Sequence, residues 1–392
     1  MTDALMPTYA RADLSFERGD GPYLYAADGR RYLDFGAGIA VNVLGYSHLH
    51  LVKALQEQAG KLWHTSNIYR IPEGERLAGR LCAATFAERV FFCNSGAEAV
   101  EGALKLARKY HHVAGRPERV RVITCSGAFH GRTLTALSAA GNPKYLTGFG
   151  PPSEGFDQVA FGNLNELRNA VRPETAAILV EPIQGEGGIR SGSLDYLRGL
   201  RATCDEFGLL LVLDEVQSGI GRTGRFLAHE WAGIDPDVVA IAKGLGGGFP
   251  IGAILATAKA AEGMTVGSHG TTFGGNPLAM AVGNAVLDVI LAEGFLARVE
   301  RIGALLHQRL EQLVVRHPAL FTEVRGKGLM LGLRCAVPAA QVVARLREEG
   351  LLTVGAAEEV IRLLPPLIID ENHIDEALAI LERVAGAWAK AA

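Results

Sequence analysis

Short apolar runs rich in β-branched and aromatic residues recur along the chain, with longer segments of helical spacing between them. They are RVFFC from Arg89 to Cys93, VRVITC from Val120 to Cys125, AAILVEP around Val180, LLLVLDE ending at Glu215 and DVVAIAK ending at Lys243. Such alternation predicts an α/β fold with a parallel sheet covered by helices. Several runs stop at a polar or glycine-rich loop: NSG, SGAFHG, QGEGG, QSG, KGLGGG. Ligands of open α/β sheets sit beyond the carboxyl ends of the strands, so these loops are predicted to converge on one crevice.

Flanking this core, GPYLYAADGRRYLDF holds two alternating runs around Asp28-Gly29, a hairpin signal in a smaller unit. Beyond Pro277 the pattern turns helical from Leu278 to Leu313. GLMLGLR and IRLLPPLII then supply strands before a terminal helix. The predicted division is residues 1–45 as an N-terminal segment of a small domain, 46–283 as a large domain and 284–392 as the C-terminal part of the small one.

Composition narrows the class. The 392 residues are enough to enclose a ligand, and 48 glycines point to tight turns and close backbone approaches. A net charge of −3 gives no field to draw nucleic acid or a membrane surface. Five cysteines without C-x-x-C spacing read as reduced core thiols of a cytoplasmic protein. Neither a leader-like stretch nor a membrane-spanning run is expected, and no metal motif occurs, since His229-Glu230 lacks the second histidine of H-E-x-x-H.

The chemistry gathers at the strand ends. Lys243 precedes Gly244-Leu245-Gly246-Gly247-Gly248, a setting that suits a Schiff-base lysine made nucleophilic by desolvation; a surface lysine beside a flexible loop reads the same. Asp214 ends an apolar run, where a buried carboxylate needs a cationic partner; it suits a pyridinium nitrogen, a metal or a helix cap. Ser95, Gly96 and Ala97 open an amphipathic helix and form either a phosphate cradle or an ordinary N-cap. Phe129 is either a stacking ring or a core residue. Gly219-Ile220-Gly221-Arg222-Thr223-Gly224 matches a dinucleotide fingerprint, but it starts too far from its strand and lacks the acid that would bind the ribose. His111 and His112 read as solvated cations at a helix end.

In this order, and with Lys243 lying 29 residues (243 minus 214) beyond Asp214, these residues resemble the class-III subgroup of fold-type I pyridoxal-phosphate-dependent aminotransferases, from Gly21 to the IRLLPPLII segment. The resemblance implies a large domain with a mostly parallel seven-stranded sheet, a smaller α+β domain formed from both chain ends, and a homodimer with shared active sites. It makes Lys243 the cofactor-binding lysine and proton carrier and Asp214 the partner of the pyridine nitrogen. Phe129 and Val216 take the two ring faces, Gln217 the phenolic oxygen, and Ser95, Gly96 and Ala97 the phosphate. Thr272 reaches the neighbouring subunit's phosphate, or is a turn residue. Arg132 and Arg362 bind substrate carboxylates, with Glu186 pairing Arg362 when the donor has no carboxylate beside its reacting amine. The implied reaction passes the amino group of N²-acetyl-L-ornithine to 2-oxoglutarate, giving N-acetyl-L-glutamate 5-semialdehyde and L-glutamate in arginine biosynthesis; succinylornithine, ornithine and 4-aminobutyrate are the alternative donors. Gly38 is expected to leave room for an acyl group, and Gly45 to His50 departs from the subgroup's usual entry-loop pattern.

Overall fold

The computed structural model describes residues 4–391; residues 1–3 and 392, at the outer ends of the predicted terminal segments, lie outside the described residues. Seven strands make the main sheet: β1 (Arg89–Cys93), β2 (Arg121–Cys125), β3 (Phe156–Val159), β4 (Thr175–Val180), β5 (Leu210–Asp214), β6 (Val238–Ile241) and β7 (Gly252–Ala256). Their spatial order is β1-β7-β6-β5-β4-β2-β3. β7 runs antiparallel to both its neighbours, while the other pairings are parallel. This is the mostly parallel sheet the apolar runs predict. β4, β5 and β6 are buried at every position, which is why they read as continuous rather than alternating hydrophobic segments.

The covering helices start where local chemistry supplies their free amides with acceptors. Ser193 caps the helix Leu194–Phe207, Asn276 caps Pro277–Ile290, and Ser95 caps Gly96–Val113. Both chain ends meet in a smaller sheet, where Leu351 and Leu352 pair in parallel with Leu33 and Asp34 of the N-terminal meander. A four-stranded antiparallel sheet follows, with Phe321–Lys327, Met330–Cys335, Val360–Leu363 and Val354–Ala356 in spatial order. Helices Phe295–Arg316, Ala339–Glu348 and Glu371–Ala391 pack around it and on one another.

Three expectations need correction. The helical stretch from Leu278 to Leu313 is two helices, Pro277–Ile290 and Phe295–Arg316, bent by 70° at a break where Gly294 has φ +78°. In IRLLPPLII only Val360–Leu363 is a strand, because Pro365 and Pro366 cannot donate to a ladder. His111 is not a solvated cation: it is fully buried with Nε2 2.8 Å from the Ala176 carbonyl, and desolvation lowers its pKa.

Candidate active site

The carboxyl ends of β1, β2, β4, β5 and β6 surround one cavity of about 450 Å³, within the usual range for a small-molecule site. Ten of the residues named from the sequence line it: Ser95, Gly96, Ala97, Phe129, Arg132, Glu186, Asp214, Val216, Gln217 and Lys243. The loops therefore converge as predicted, although they are far apart in the chain.

Lys243 follows β6 in a left-handed conformation, φ +43°, uncommon for a residue with a side chain and characteristic of functional turns. The glycines after it are needed for close approach: a Cβ on Gly246 would lie 1.9 Å from the Phe249 carbonyl oxygen, and one on Gly244 would lie 2.8 Å from Val43. Burial, helped by the positive charge of Arg362, pushes the Lys243 ammonium down to about 8. An amine so placed is partly unprotonated near neutral pH, as a nucleophile requires.

Asp214 is buried at the end of β5. Its Oδ1 accepts from the Val216 amide at 3.0 Å, and its Oδ2 lies 2.8 Å from His130 Nδ1. Burial opposes the charged form of His130, but the hydrogen bond and attraction to Asp214 together with the Glu181 charge outweigh it, so its pKa is raised. Glu181, at the end of β4, accepts from the amides of Phe129 (2.8 Å) and Gly185 (3.3 Å), and burial together with the Asp214 charge pushes it up to about 7. His130 and Glu181 line the cavity and were not singled out in the sequence, though both stand inside motifs that were: AFHGR and LVEP.

At the opening of the helix Gly96–Val113, the Ser95 hydroxyl accepts from the Glu98 amide at 3.3 Å, and the amides of Gly96 and Ala97 make no hydrogen bond to another described residue. Those amides and the helix dipole suit an anion. A Cβ on Gly96 would come within 2.6 Å of Val216, so glycine is required for this loop to lie against the Val216 side chain. Gln217 Oε1 is buried without a partner among the described residues. Together, a nucleophilic lysine, a buried carboxylate, free helix-start amides and an unpaired polar group fit a phosphorylated heteroaromatic aldehyde.

The two predicted substrate arginines differ. Arg362 is 1% exposed; its Nη1 is 2.7 Å from Glu186 Oε1, and its Nη2 donates to the Gly355 carbonyl at 3.0 Å. It stands behind Glu186 rather than on the cavity wall. Arg132 has no carboxylate partner among the described residues, and its guanidinium sits 3.7 Å from the centre of the Tyr145 ring. Tyr145 is a further residue that no sequence signal marks. Thr272 is exposed and off this cavity. Gly38 is exposed and belongs to a left-handed turn in which Ala37, Ile39 and Ala40 also have positive φ; Val41 is the residue of this segment on the cavity wall. The unusual Gly45 to His50 segment supports that turn: the Tyr46 hydroxyl donates to Asp34 at 2.5 Å, and Asp34 accepts from the Gly36 and Ala37 amides.

A doubly wound sheet with a lysine, an aspartate and helix-start amides at the strand ends defines a group-transfer enzyme that works through a bound aldehyde. The description of class-III aminotransferases matches residues 7–385, and the chain belongs to that family. It is 60% identical over 387 residues to an acetylornithine aminotransferase of Brucella melitensis, covering 97% of this chain and 96% of that one. Among solved structures it superposes on the ornithine aminotransferase of Toxoplasma gondii ME49 with TM-score 0.95 and 32% identity, covering 99% and 94% of the two chains. It matches the N-acetylornithine aminotransferase of Stenotrophomonas maltophilia K279a with TM-score 0.85 and 39% identity, covering 98% of each.

Proposed function

We propose that this protein transfers the δ-amino group of N²-acetyl-L-ornithine to 2-oxoglutarate, as a step of arginine biosynthesis, with pyridoxal 5'-phosphate as cofactor. The observation that carries this reading is the Arg362–Glu186 pair beside the Lys243 cavity, with the unpaired Arg132 on the same cavity. The names of the 55–60% identical relatives support the donor.

When bound, pyridoxal phosphate supplies an electron sink and stores the amino group between the two half-reactions. Lys243 holds it through Nζ and takes the proton from the substrate's reacting carbon, a role worth about 10²–10⁴-fold when the base is positioned. Asp214, braced by His130, keeps the pyridine nitrogen protonated; Phe129 and Val216 pack its ring, Gln217 meets its phenolic oxygen, and Ser95, Gly96 and Ala97 hold its phosphate. Arg132 grips the distal carboxylate of either substrate. Arg362 grips the carboxylate beside the reacting carbon of glutamate, and stays with Glu186 when acetylornithine presents none there.

The working unit in this reading is a cytoplasmic homodimer. Exposed Trp63, Ile68, Tyr69 and Phe273 support an interface next to Thr272; the segments carrying them are tied by Asn67, which donates to the carbonyls of Thr271 and Gly274. Five unpaired cysteines, four of them buried, fit a reducing compartment. A single-turnover panel of acetylornithine, succinylornithine, ornithine and 4-aminobutyrate tests the donor. Acetylornithine should convert the bound cofactor fastest, and a faster reaction with ornithine or 4-aminobutyrate would overturn the assignment.

A further inference from the structure

The glycine-rich stretch 219–224, whose spacing imitates a dinucleotide fingerprint, performs a different task. Gly224 has φ +91°, and a Cβ there would lie 3.0 Å from Glu300 Cα; a Cβ on Gly328 would lie 2.4 Å from the Thr223 backbone. Bare backbone is therefore required where this loop crosses the helix Phe295–Arg316 and the turn before Met330–Cys335. At the crossing sits Arg222, wholly buried, with no carboxylate partner among the described residues and with Nε and Nη2 unpaired there. Burial alone pushes its guanidinium down to about 9. An unpaired buried charge is costly, so its contacts need a reason.

Those contacts join two parts of the site. Arg222 Nη1 donates to the carbonyls of Leu329 (3.0 Å) and Pro365 (2.5 Å), and the Arg222 carbonyl accepts from the Leu329 amide (3.0 Å). Leu329 leads into the strand whose Gly332 pairs with Arg362, and Pro365 lies just beyond the strand that carries Arg362. In the other direction the loop runs straight back to Val216 and Gln217 on the cavity wall. One side chain thus fastens both strands around Arg362 to the segment that lines the cofactor cavity.

We infer that Arg222 is a positioning residue that sets where Arg362 stands relative to the cavity, and so tunes the site for substrates with a carboxylate beside the reacting carbon. The inference rests on the proposed glutamate half-reaction. Arg222 does not line the cavity, so its loss should fall on the arginine it positions.

The test uses holoenzyme and single-turnover kinetics. Arg222→Lys and Arg222→Gln should each weaken glutamate binding about 10-fold, the value of a charged hydrogen bond, while acetylornithine changes less than about 2-fold and the cofactor's visible band is retained. Taking the ratio of the two half-reactions within one preparation removes any effect of misfolded material. The double variant Arg222→Lys/Arg362→Ala should bind glutamate no more weakly than Arg362→Ala alone, because a residue acting through Arg362 has nothing left to position. Equal losses with both substrates, additive losses in the double variant, unchanged glutamate binding, or failure of both single variants to fold would each overturn the inference and leave Arg222 a purely structural residue. Failure of the wild-type enzyme to react with glutamate would instead contradict the proposed function.

Discussion

His130 Nδ1 lies 2.8 Å from Asp214 Oδ2, and both side chains are buried, so the aspartate proposed to face the cofactor is fixed from behind by an imidazole. Among the described residues, removing the ring leaves the Asp214 carboxylate with only the Val216 amide as a protein hydrogen-bond donor. His130→Ala should slow the proton-transfer step about 10- to 100-fold, matching loss of one hydrogen bond to a charge, with cofactor still bound. His130→Asn, which can still donate, should recover part of that loss. Asp214→Asn should be slower than either. Stopped-flow traces of the bound cofactor measure all three, and turnover unchanged in Asp214→Asn would remove its assigned role.

The buried amine of Lys243 gives a pH-dependent stability. Its pKa falls from 10.5 in the unfolded chain to about 8 in the fold, so between these values the unfolded state binds more protons and stability rises with pH. Below about pH 8 the buried ammonium costs the cofactor-free protein about 3 kcal/mol. Lys243→Met should therefore be more stable than the cofactor-free wild type by about that amount at pH 7, with the gap closing toward pH 10.5. Urea titrations at pH 7 and 10 check it, and a pH-independent difference would contradict it.

Thr272 is exposed and does not line its own chain's cavity, so the proposed phosphate contact would be made across a dimer. Thr272→Val should bind cofactor more weakly. Mixed with Lys243→Ala protein, it should form heterodimers in which one site has both intact residues, returning about a quarter of wild-type activity for an equal mixture at random exchange. Activity no greater than that of the separate variants, with heterodimers confirmed by mass, would place the phosphate within one subunit.

Much of this architecture is legible in the chain because β4, β5 and β6 are apolar at nearly every position, and their polar terminations mark the crevice. Lys243 and Asp214 stand at those terminations. Glu181 does as well, and His130 lies in the loop beyond β2, yet nothing in AFHGR or LVEP reveals that the His130 side chain turns toward Asp214 and the Glu181 carboxylate toward the Phe129 and Gly185 amides. His111 misled for a related reason: its place near a helix end is local information, whereas its burial against Ala176 depends on how that helix lies on the sheet. Nothing in FGAGIAVN marks the left-handed turn that Gly38 shares with Ala37, Ile39 and Ala40. Arg222 lay inside a motif whose distance from its strand and missing acid ruled out a dinucleotide site, and its partners are backbone carbonyls, which leave no sequence trace.

The ion pair between Arg362 and Glu186 offers the most direct test of the whole account, because acetylornithine reacts at an end without a carboxylate whereas glutamate reacts beside one. Single-turnover rates of Arg362→Ala should fall about 10- to 100-fold with glutamate and less than about 3-fold with acetylornithine, consistent with loss of a charged hydrogen-bonded contact in one half-reaction only. Equal losses in the two half-reactions would show that Glu186 does not hold Arg362 aside for the donor, and the proposed division of labour would fail.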